Sequence, residues 1–142
     1  MSFTGNWTTN AFKTGLMDGT FNFTSGSFYL ALYTNSATLD ATTTAYTATG
    51  EASGGNYVAG GNLLTIAQAP TIGSQTGAAT AYISFSNTSW TGAITARGAL
   101  IYKAGAGGAV CVLDFGADKT STATFTVQFP SITSTSAIIR IT

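Results

Sequence analysis

The stretch SFYLALYT, residues 27–34, decides the fold class of this 142-residue chain. Its side chains alternate with a period of two, which is the periodicity of a β-strand. Phe28, Leu30 and Leu32 fall on one face, and Tyr29, Ala31 and Tyr33 fall on the other. Because both faces are apolar, the pattern predicts a central strand that is covered on both sides.

Further strands are predicted on either side of this stretch. They cover residues 57–59, 62–72, 79–85, 95–103, 109–115, 124–129 and 137–141, with one more short strand near residues 45–48. Turn-forming segments rich in Gly, Ser, Thr and Asn separate most of them. Residues 35–55 lack a clear period and are predicted to form a long surface loop. We therefore expect an all-β fold, a jelly-roll-like antiparallel β-sandwich of about eight or nine strands.

One short helix is predicted ahead of the strands, between Thr9 and Gly19. Thr9 or Asn10 can cap its N-terminus, and Gly19 can end it. A helix this short is stable only when it packs on something larger. Residues 1–19 are therefore expected to form an N-terminal arm and helix that pack on a single β-sandwich domain spanning residues 1–142.

Charge is scarce in the sequence. Only 7% of the residues are charged, against about 25% in an average soluble domain, and five cations balance five anions. A net charge of zero disfavours nucleic-acid binding, because phosphate neutralisation needs clustered Lys and Arg. The chain contains no His, which removes the usual general base and the commonest metal ligand. We therefore expect no enzymatic activity, no catalytic residues, no metal, no cofactor and no nucleic-acid partner.

The single cysteine, Cys111, excludes an intramolecular disulfide and is predicted to be a small buried hydrophobic residue. The first residues, 1–7, lack the basic start and apolar stretch of a secretory signal. Apolar runs are also much shorter than the ~20 residues that a membrane-spanning helix needs. We expect neither export by a signal peptide nor a membrane partner.

Two local motifs have simple structural interpretations. Residues 103–108, KAGAGG, resemble half of a phosphate-binding loop, but no Lys-Ser/Thr pair or helix follows, so a hairpin turn is predicted. Asp114 and Asp118 follow a strand and are expected to pair with Lys119 or Arg140, or to cap turn amides. A calcium site is the less favoured alternative, because two carboxylates supply too few oxygens.

Several residues are candidates for contacts between subunits. Phe3 and Trp7 precede the helix and either pack on their own domain or form an arm that docks on a neighbour. Arg97 and Arg140 lie in otherwise apolar strands. Each is either an ordinary solvated charge or the anchor of an interface, where Arg is enriched.

Five segments carry a resemblance to a known family. In the C-terminal half they are residues 90–102 (WTGAITARGALIY), 109–120 (AVCVLDFGADKT) and 125–130 (FTVQFP). In the N-terminal half they are the helix at 12–17 and the strand at 28–34, which the Thr- and Ala-rich loop follows. In these segments the chain resembles a recurrent small virion-associated protein of tailed bacteriophages. The resemblance implies a β-sandwich or jelly-roll protein on the virion, without catalytic residues.

Proteins of this kind most often decorate or cement the capsid lattice, and some belong to tails or fibres. The resemblance therefore implies a homo-oligomer that binds the major capsid protein or other virion proteins on the outside of the head and stabilises it. Such a protein is located on the virion after assembly in the host cytoplasm. The composition agrees with this expectation, since a net charge of zero permits close self-association without repulsion.

Two other functions stay open from the sequence. The first is a tail, fibre or baseplate component, with a receptor- or glycan-binding loop that uses Tyr46, Tyr57 or Trp90. Tyr46 and Tyr57 are therefore counted with the candidate contact residues. The second is a carbohydrate-binding module, or another small β-rich binding protein, unrelated to virions.

Overall fold

The computed structural model describes residues 3–73 and 79–142, and this part of the chain is mostly β-strand with one short helix. The elements are β1 (Trp7–Thr8), α1 (Asn10–Asp18), β2 (Tyr29–Tyr33), β3 (Asn62–Leu63), β4 (Ile66–Ile72), β5 (Ala81–Phe85), β6 (Thr88–Thr91), β7 (Thr95–Tyr102), β8 (Ala109–Thr120), β9 (Thr124–Val127) and β10 (Ile139–Ile141). The described strands all pair in antiparallel fashion. The all-β, sandwich-like fold class is therefore confirmed, with ten described strands.

The strands form three sheets. The largest has the order β1-β8-β7-β2-β3, the second has the order β10-β5-β4, and the third is the pair β6-β9. β2 lies inside the largest sheet, as the sequence predicts, and its residues Leu30, Ala31, Leu32 and Tyr33 have no exposed surface. The glycine-rich segment 103–108 is the turn between β7 and β8, as predicted. The N–H of Lys103 donates a hydrogen bond to the carbonyl of Gly108 at 2.7 Å and closes this turn.

Both faces of the five-stranded sheet are covered by the chain itself. Leu30 and Leu32 belong to the main core, which lies between this sheet, helix α1 and the two smaller sheets. Ala31 and Tyr33 belong to a second core on the opposite face. Its outer layer comes from the N-terminal arm and from the segment between β2 and β3, which we call the covering loop, residues 34–61.

Aromatic rings fill the main core beneath helix α1. Five phenylalanines contact one another there with centroid distances of 4.5 to 6.5 Å: Phe12, Phe21, Phe23, Phe28 and Phe85. Such pairs contribute about 0.5–1.5 kcal/mol each beyond the apolar area they bury. This cluster fixes the helix on the sheets, as its short length requires.

The sequence prediction was wrong at two strands of the covering loop. Residues 57–59 form no strand, because hydrogen bonds close a turn on each side: Tyr57 N–H to Gly54 at 3.0 Å, and Gly61 N–H to Val58 at 2.9 Å. Residues 45–48 form no strand either: the carbonyl of Thr47 accepts from the hydroxyl of Tyr33 at 2.7 Å, and the carbonyl of Ala48 accepts from the N–H of Glu51 at 3.3 Å, which closes a turn.

Other boundaries differ by a few residues. The predicted strand 62–72 is divided into β3 and β4, and Pro70 lies in β4 at a shift in its register with β5. β4 is an edge strand, where a proline is tolerated. β8 continues to Thr120, and the short strands β1 and β6 were not predicted. Met1 and Ser2 of the predicted arm lie outside the described residues.

Thr9 caps helix α1 as predicted, and Gly19 ends it. The hydroxyl of Thr9 accepts a hydrogen bond from the N–H of Phe12 at 3.0 Å and donates one to the carbonyl of Ala109 at 2.8 Å. Thr9 is fully buried. One hydroxyl therefore both caps the helix and ties it to β8.

We expect Thr9→Val to lower the free energy of unfolding by about 2–3 kcal/mol, because it removes the cap and leaves two buried backbone groups without partners. Thr9→Ser keeps the hydroxyl, so its loss should be about 1 kcal/mol or less. Urea denaturation followed by circular dichroism measures both values. Equal losses in the two variants would show that the hydroxyl has no such role.

Candidate functional site

The six predicted contact residues lie in three places. Tyr46 and Tyr57 meet in the covering loop; Phe3, Trp7 and Arg97 lie at the N-terminal arm or beneath it; and Arg140 lies on β10. The structure therefore brings two sets of them together and leaves Arg140 apart.

Glu51 joins the two tyrosines of the covering loop. Tyr57 Oη donates to Glu51 Oε1 at 2.6 Å, and Tyr46 Oη donates to Glu51 Oε2 at 2.7 Å. The N–H of Gly60 donates to Oε1 at 2.7 Å. Tyr57 Oη also accepts from the N–H of Leu32 in β2, at 2.9 Å. We call Glu51, Tyr46 and Tyr57 the Glu51 clasp, because together they fasten the covering loop to the sheet.

Three further tyrosines surround the clasp. The ring of Tyr102 stacks between those of Tyr46 and Tyr29, with centroid distances of 5.0 and 5.6 Å. The hydroxyl of Tyr33 donates to the carbonyl of Thr47 at 2.7 Å. The tyrosines of the second core therefore hold the loop over the outer face of β2 and β7.

This geometry corrects one candidate for glycan binding. Trp90 is only 2% exposed, and Tyr57 packs on it at 5.4 Å between centroids. Its indole N–H has no partner among the described residues. Trp90 therefore presents no ring face to a sugar, and the hydroxyls of Tyr46 and Tyr57 already bind Glu51.

The clasp and its surroundings raise the pKa values of several tyrosines. The hydrogen bond to Glu51 raises the pKa of Tyr46 to about 12, since ionising this hydroxyl would place two negative charges side by side. Burial, followed by the hydrogen bond to Glu51, raises the pKa of Tyr57. Burial also raises the pKa of Tyr33, and it raises the pKa of Tyr102 to about 12.

These shifts predict a loss of stability in alkali. A tyrosine whose pKa is higher in the folded state contributes fully below its unfolded pKa, and the contribution is lost as the pH rises through the folded pKa. We expect the free energy of unfolding to be constant from neutral pH to about pH 8. Above that pH it should fall, first because unfolding lets the buried thiol of Cys111 ionise, and above about pH 10 because it lets the tyrosines ionise as well. Urea titrations across this range, with tyrosinate absorbance recorded alongside, measure the effect. A constant free energy between about pH 10 and 12 would contradict it.

The N-terminal arm, residues 3–8, lies on β7 and β8. Phe3 is only 1% exposed and packs over Gly98, where an added Cβ would lie 2.3 Å from the ring. The guanidinium carbon of Arg97 lies 5.6 Å from the centroid of the same ring. In this structure Phe3 therefore packs on its own chain and does not extend from it as a free arm.

Arg97 also forms an ion pair with Asp114 of β8, and both side chains are largely buried. Asp114 was expected to pair with Lys119 or Arg140, or to cap turn amides. It does accept a hydrogen bond from the backbone N–H of Gly116 at 2.8 Å, but the predicted cation is wrong. It pairs with Arg97 instead because β7 and β8 are neighbours and Asp114 lies opposite Gly98, next to Arg97 in the chain. The charge of Arg97 is thus used within the chain, and it is neither a fully solvated charge nor a free interface anchor.

The edge strand β10 borders a different kind of surface. Arg140 is exposed there and donates to the carbonyl of Thr135 at 2.7 Å. A cavity of about 390 Å³ lies between helix α1 and the sheet β10-β5-β4, and no charged side chain lines it. Ile72, Ala81 and Ile141 form a row across this sheet, which we call the isoleucine row. Ile72 is 62% exposed and Ile141 is 53% exposed.

The sequence analysis missed Glu51 and the isoleucine row. A single carboxylate between two tyrosines, in a loop almost without charge, was a usable signal for Glu51. The row had no signal of its own, because Ile72 and Ile141 are far apart in the sequence and only the pairing of β4, β5 and β10 aligns them.

Within residues 3–73 and 79–142, no three His, Cys, Asp or Glu side chains are grouped so that they could hold a metal ion. In the same part of the chain, no helix has the length and apolarity needed to cross a membrane. Cys111 is buried in the main core, and burial raises the pKa of its thiol to about 12. No family model, curated protein or solved structure matches the chain.

Proposed function

We propose that this chain is a structural protein of a tailed-phage virion, a decoration or cement protein that binds the outside of the head as a homo-oligomer and stabilises it. The observation that carries the proposal is the isoleucine row with its neighbouring cavity. Large aliphatic side chains that are more than half exposed, beside a cavity whose lining carries no charge, are typical of surfaces that contact another protein.

The use of charge within the chain supports the same function. Glu51 and the Arg97–Asp114 pair serve internal contacts. The cavity beside the isoleucine row is lined by apolar and uncharged polar residues alone. A contact made by this face depends on apolar burial, so added salt should change its affinity only slightly.

The alternative of a tail component with a glycan-binding loop gains less support. Its candidate residues are Tyr46, Tyr57 and Trp90, and they serve the covering loop or lie buried. The same holds for a carbohydrate-binding module that uses these aromatic rings. Copy number separates a head protein from a tail protein, because a shell takes hundreds of copies and a tail takes far fewer.

Binding of the purified full chain to phage heads that lack it tests the proposal. We expect binding to be nearly unchanged as NaCl is raised from low to moderate concentration, and to fall at least about tenfold in Ile72→Lys, which places a charge in the row. Val58→Lys is the matched control, since Val58 is 71% exposed, against 62% for Ile72, but lies on the covering loop. Failure of the wild-type chain to bind heads would refute the function. Binding that moderate salt abolishes would refute the apolar contact.

A further inference from the structure

We propose that the slot beneath the N-terminal arm is an exchange site, which in an assembly accepts the arm of a second copy of this chain. The arm consists of residues 3–8, and the slot is formed by β7 and the edge of β8. This inference needs only two copies of the chain and no virion. It can therefore fail while the proposed function holds, and the reverse is also true.

The arm is bound in the way that a separate peptide would be bound. Phe3 is its one buried side chain, and Thr4, Asn6, Trp7 and Thr8 are exposed. β1 adds to the outer edge of the largest sheet through only two residue pairs, Trp7 with Val112 and Thr8 with Cys111. The release of such a segment breaks few backbone pairs, and Phe3 is the one side chain of the second core that leaves with it.

The slot is built by residues outside the arm. Gly98 leaves the space that the ring of Phe3 fills, and Arg97 is held over that space by its ion pair with Asp114. The backbone N–H of Asp114 donates to Asn6 Oδ1 at 2.6 Å. All three slot residues belong to β7 or β8, so the slot keeps its shape when the arm leaves.

The junction between arm and helix stays in place during such an exchange. Thr9 donates its N–H to the carbonyl of Val110 at 3.0 Å and its hydroxyl to that of Ala109 at 2.8 Å. The chain can therefore pivot at the bond between Thr8 and Thr9 while helix α1 remains fixed.

A second copy is the partner that fits the vacated slot. A released arm leaves an unpaired strand edge and an empty apolar slot, which favour the addition of a new strand. An arm of identical sequence restores the contacts that Phe3 and Asn6 make with the slot, as in domain swapping. The arm of the same chain has an effective concentration of about millimolar. Close packing in a homo-oligomer brings neighbouring arms to a comparable concentration.

The strand register supplies a direct test in the full chain. Thr8 lies opposite Cys111, and in the same register Thr9 lies opposite Val110. Thr9 and Val110 are a hydrogen-bonded pair, because the N–H of Thr9 donates to the carbonyl of Val110. Thr8 and Cys111 therefore form a non-hydrogen-bonded pair, whose Cα atoms are about 4.5 Å apart and within reach of a disulfide. Thr8→Cys should form an intrachain disulfide with Cys111 under glutathione disulfide. Its absence would overturn the register on which the proposal rests.

Exchange is then measured by mixing two full chains. One carries Thr8→Cys and Cys111→Ser, and the other is the wild type, whose only thiol is Cys111. We expect a disulfide-linked heterodimer after oxidation at about millimolar chain concentration. Thr4→Cys with Cys111→Ser gives the background, because Thr4 is also exposed on the arm but does not face Cys111.

The yield should exceed this background at least fivefold and should fall severalfold when Phe3→Ala is added to the chain that donates the arm. A heterodimer yield equal to the background would overturn the proposal, given that Thr8→Cys alone forms its intrachain disulfide. An excess that does not depend on Phe3 would also overturn it, since the arm would then be held by something other than the slot.

Discussion

Gly61→Ala should lower the free energy of unfolding by about 2–5 kcal/mol. Gly61 has φ +76°, a left-handed conformation that costs other residues roughly 1–2 kcal/mol. An added Cβ would also lie 1.8 Å from the carbonyl oxygen of Leu30 in β2. Because that atom belongs to the backbone of an inner strand, either the strand or the covering loop must shift, at a further cost of about 1–3 kcal/mol.

Gly107→Ala is the matched control for this variant. Gly107 has nearly the same φ, +73°, but no atom lies within 4 Å of its added Cβ. Gly107→Ala should therefore lower the free energy of unfolding only by the cost of the left-handed backbone conformation, about 1–2 kcal/mol. Urea denaturation of both variants separates backbone strain from crowding. If the two losses are equal, the covering loop does not lie against β2 as described.

Glu51→Ala is the second variant with a large expected effect, a loss of about 3–4 kcal/mol. It removes the acceptor of three hydrogen bonds, from Tyr46, Tyr57 and the N–H of Gly60. Bonds to a charged acceptor are stronger than those between neutral groups. Without them the covering loop keeps its apolar contacts and a few hydrogen bonds, such as those of Ala52 N–H to Leu32 and of the Tyr33 hydroxyl to Thr47.

Tyr46→Phe is the control for Glu51→Ala, since it removes one of the three bonds and keeps the ring. Its loss should be about 1 kcal/mol. Limited proteolysis reports the loop directly, and cleavage within residues 34–61 should be much faster in Glu51→Ala than in Tyr46→Phe. A loss of less than about 1 kcal/mol in Glu51→Ala would mean that the clasp does not secure the loop.

The parts of the fold that follow from local pattern could be predicted. β2 is recognisable because its apolar residues alternate over the whole strand, and α1 because Thr9 and Gly19 mark its two ends. β1 and β6 could not be predicted, since two and four residues carry too little periodicity. They exist because β8 and β9 offer them a free edge.

The parts of the candidate site that depend on distant contacts could not be predicted. The sequence singled out Phe3 and Arg97 separately, but their contact needs β7, β8 and the arm in one place. The order of the covering loop arises from Glu51 and from contacts with β2, which no local pattern in a Thr- and Ala-rich segment reveals.

In the folded chain, which has few charged residues, much of the apolar surface of the largest sheet is covered from within. From the sequence, both apolar faces of β2 were expected to be covered. The covering loop supplies this cover on the outer face. The large apolar side chains that stay exposed lie elsewhere, and they include Ile72 and Ile141 of the isoleucine row.

Electron microscopy of intact virions at side-chain resolution tests the central claim most directly. The particles to use are those of a tailed phage whose genome encodes this chain. We expect density for the chain on the outer surface of the head, repeated over the capsid lattice, with Ile72 and Ile141 buried against a neighbouring protein. Density confined to the tail or fibres, or purified particles without the chain, would contradict it.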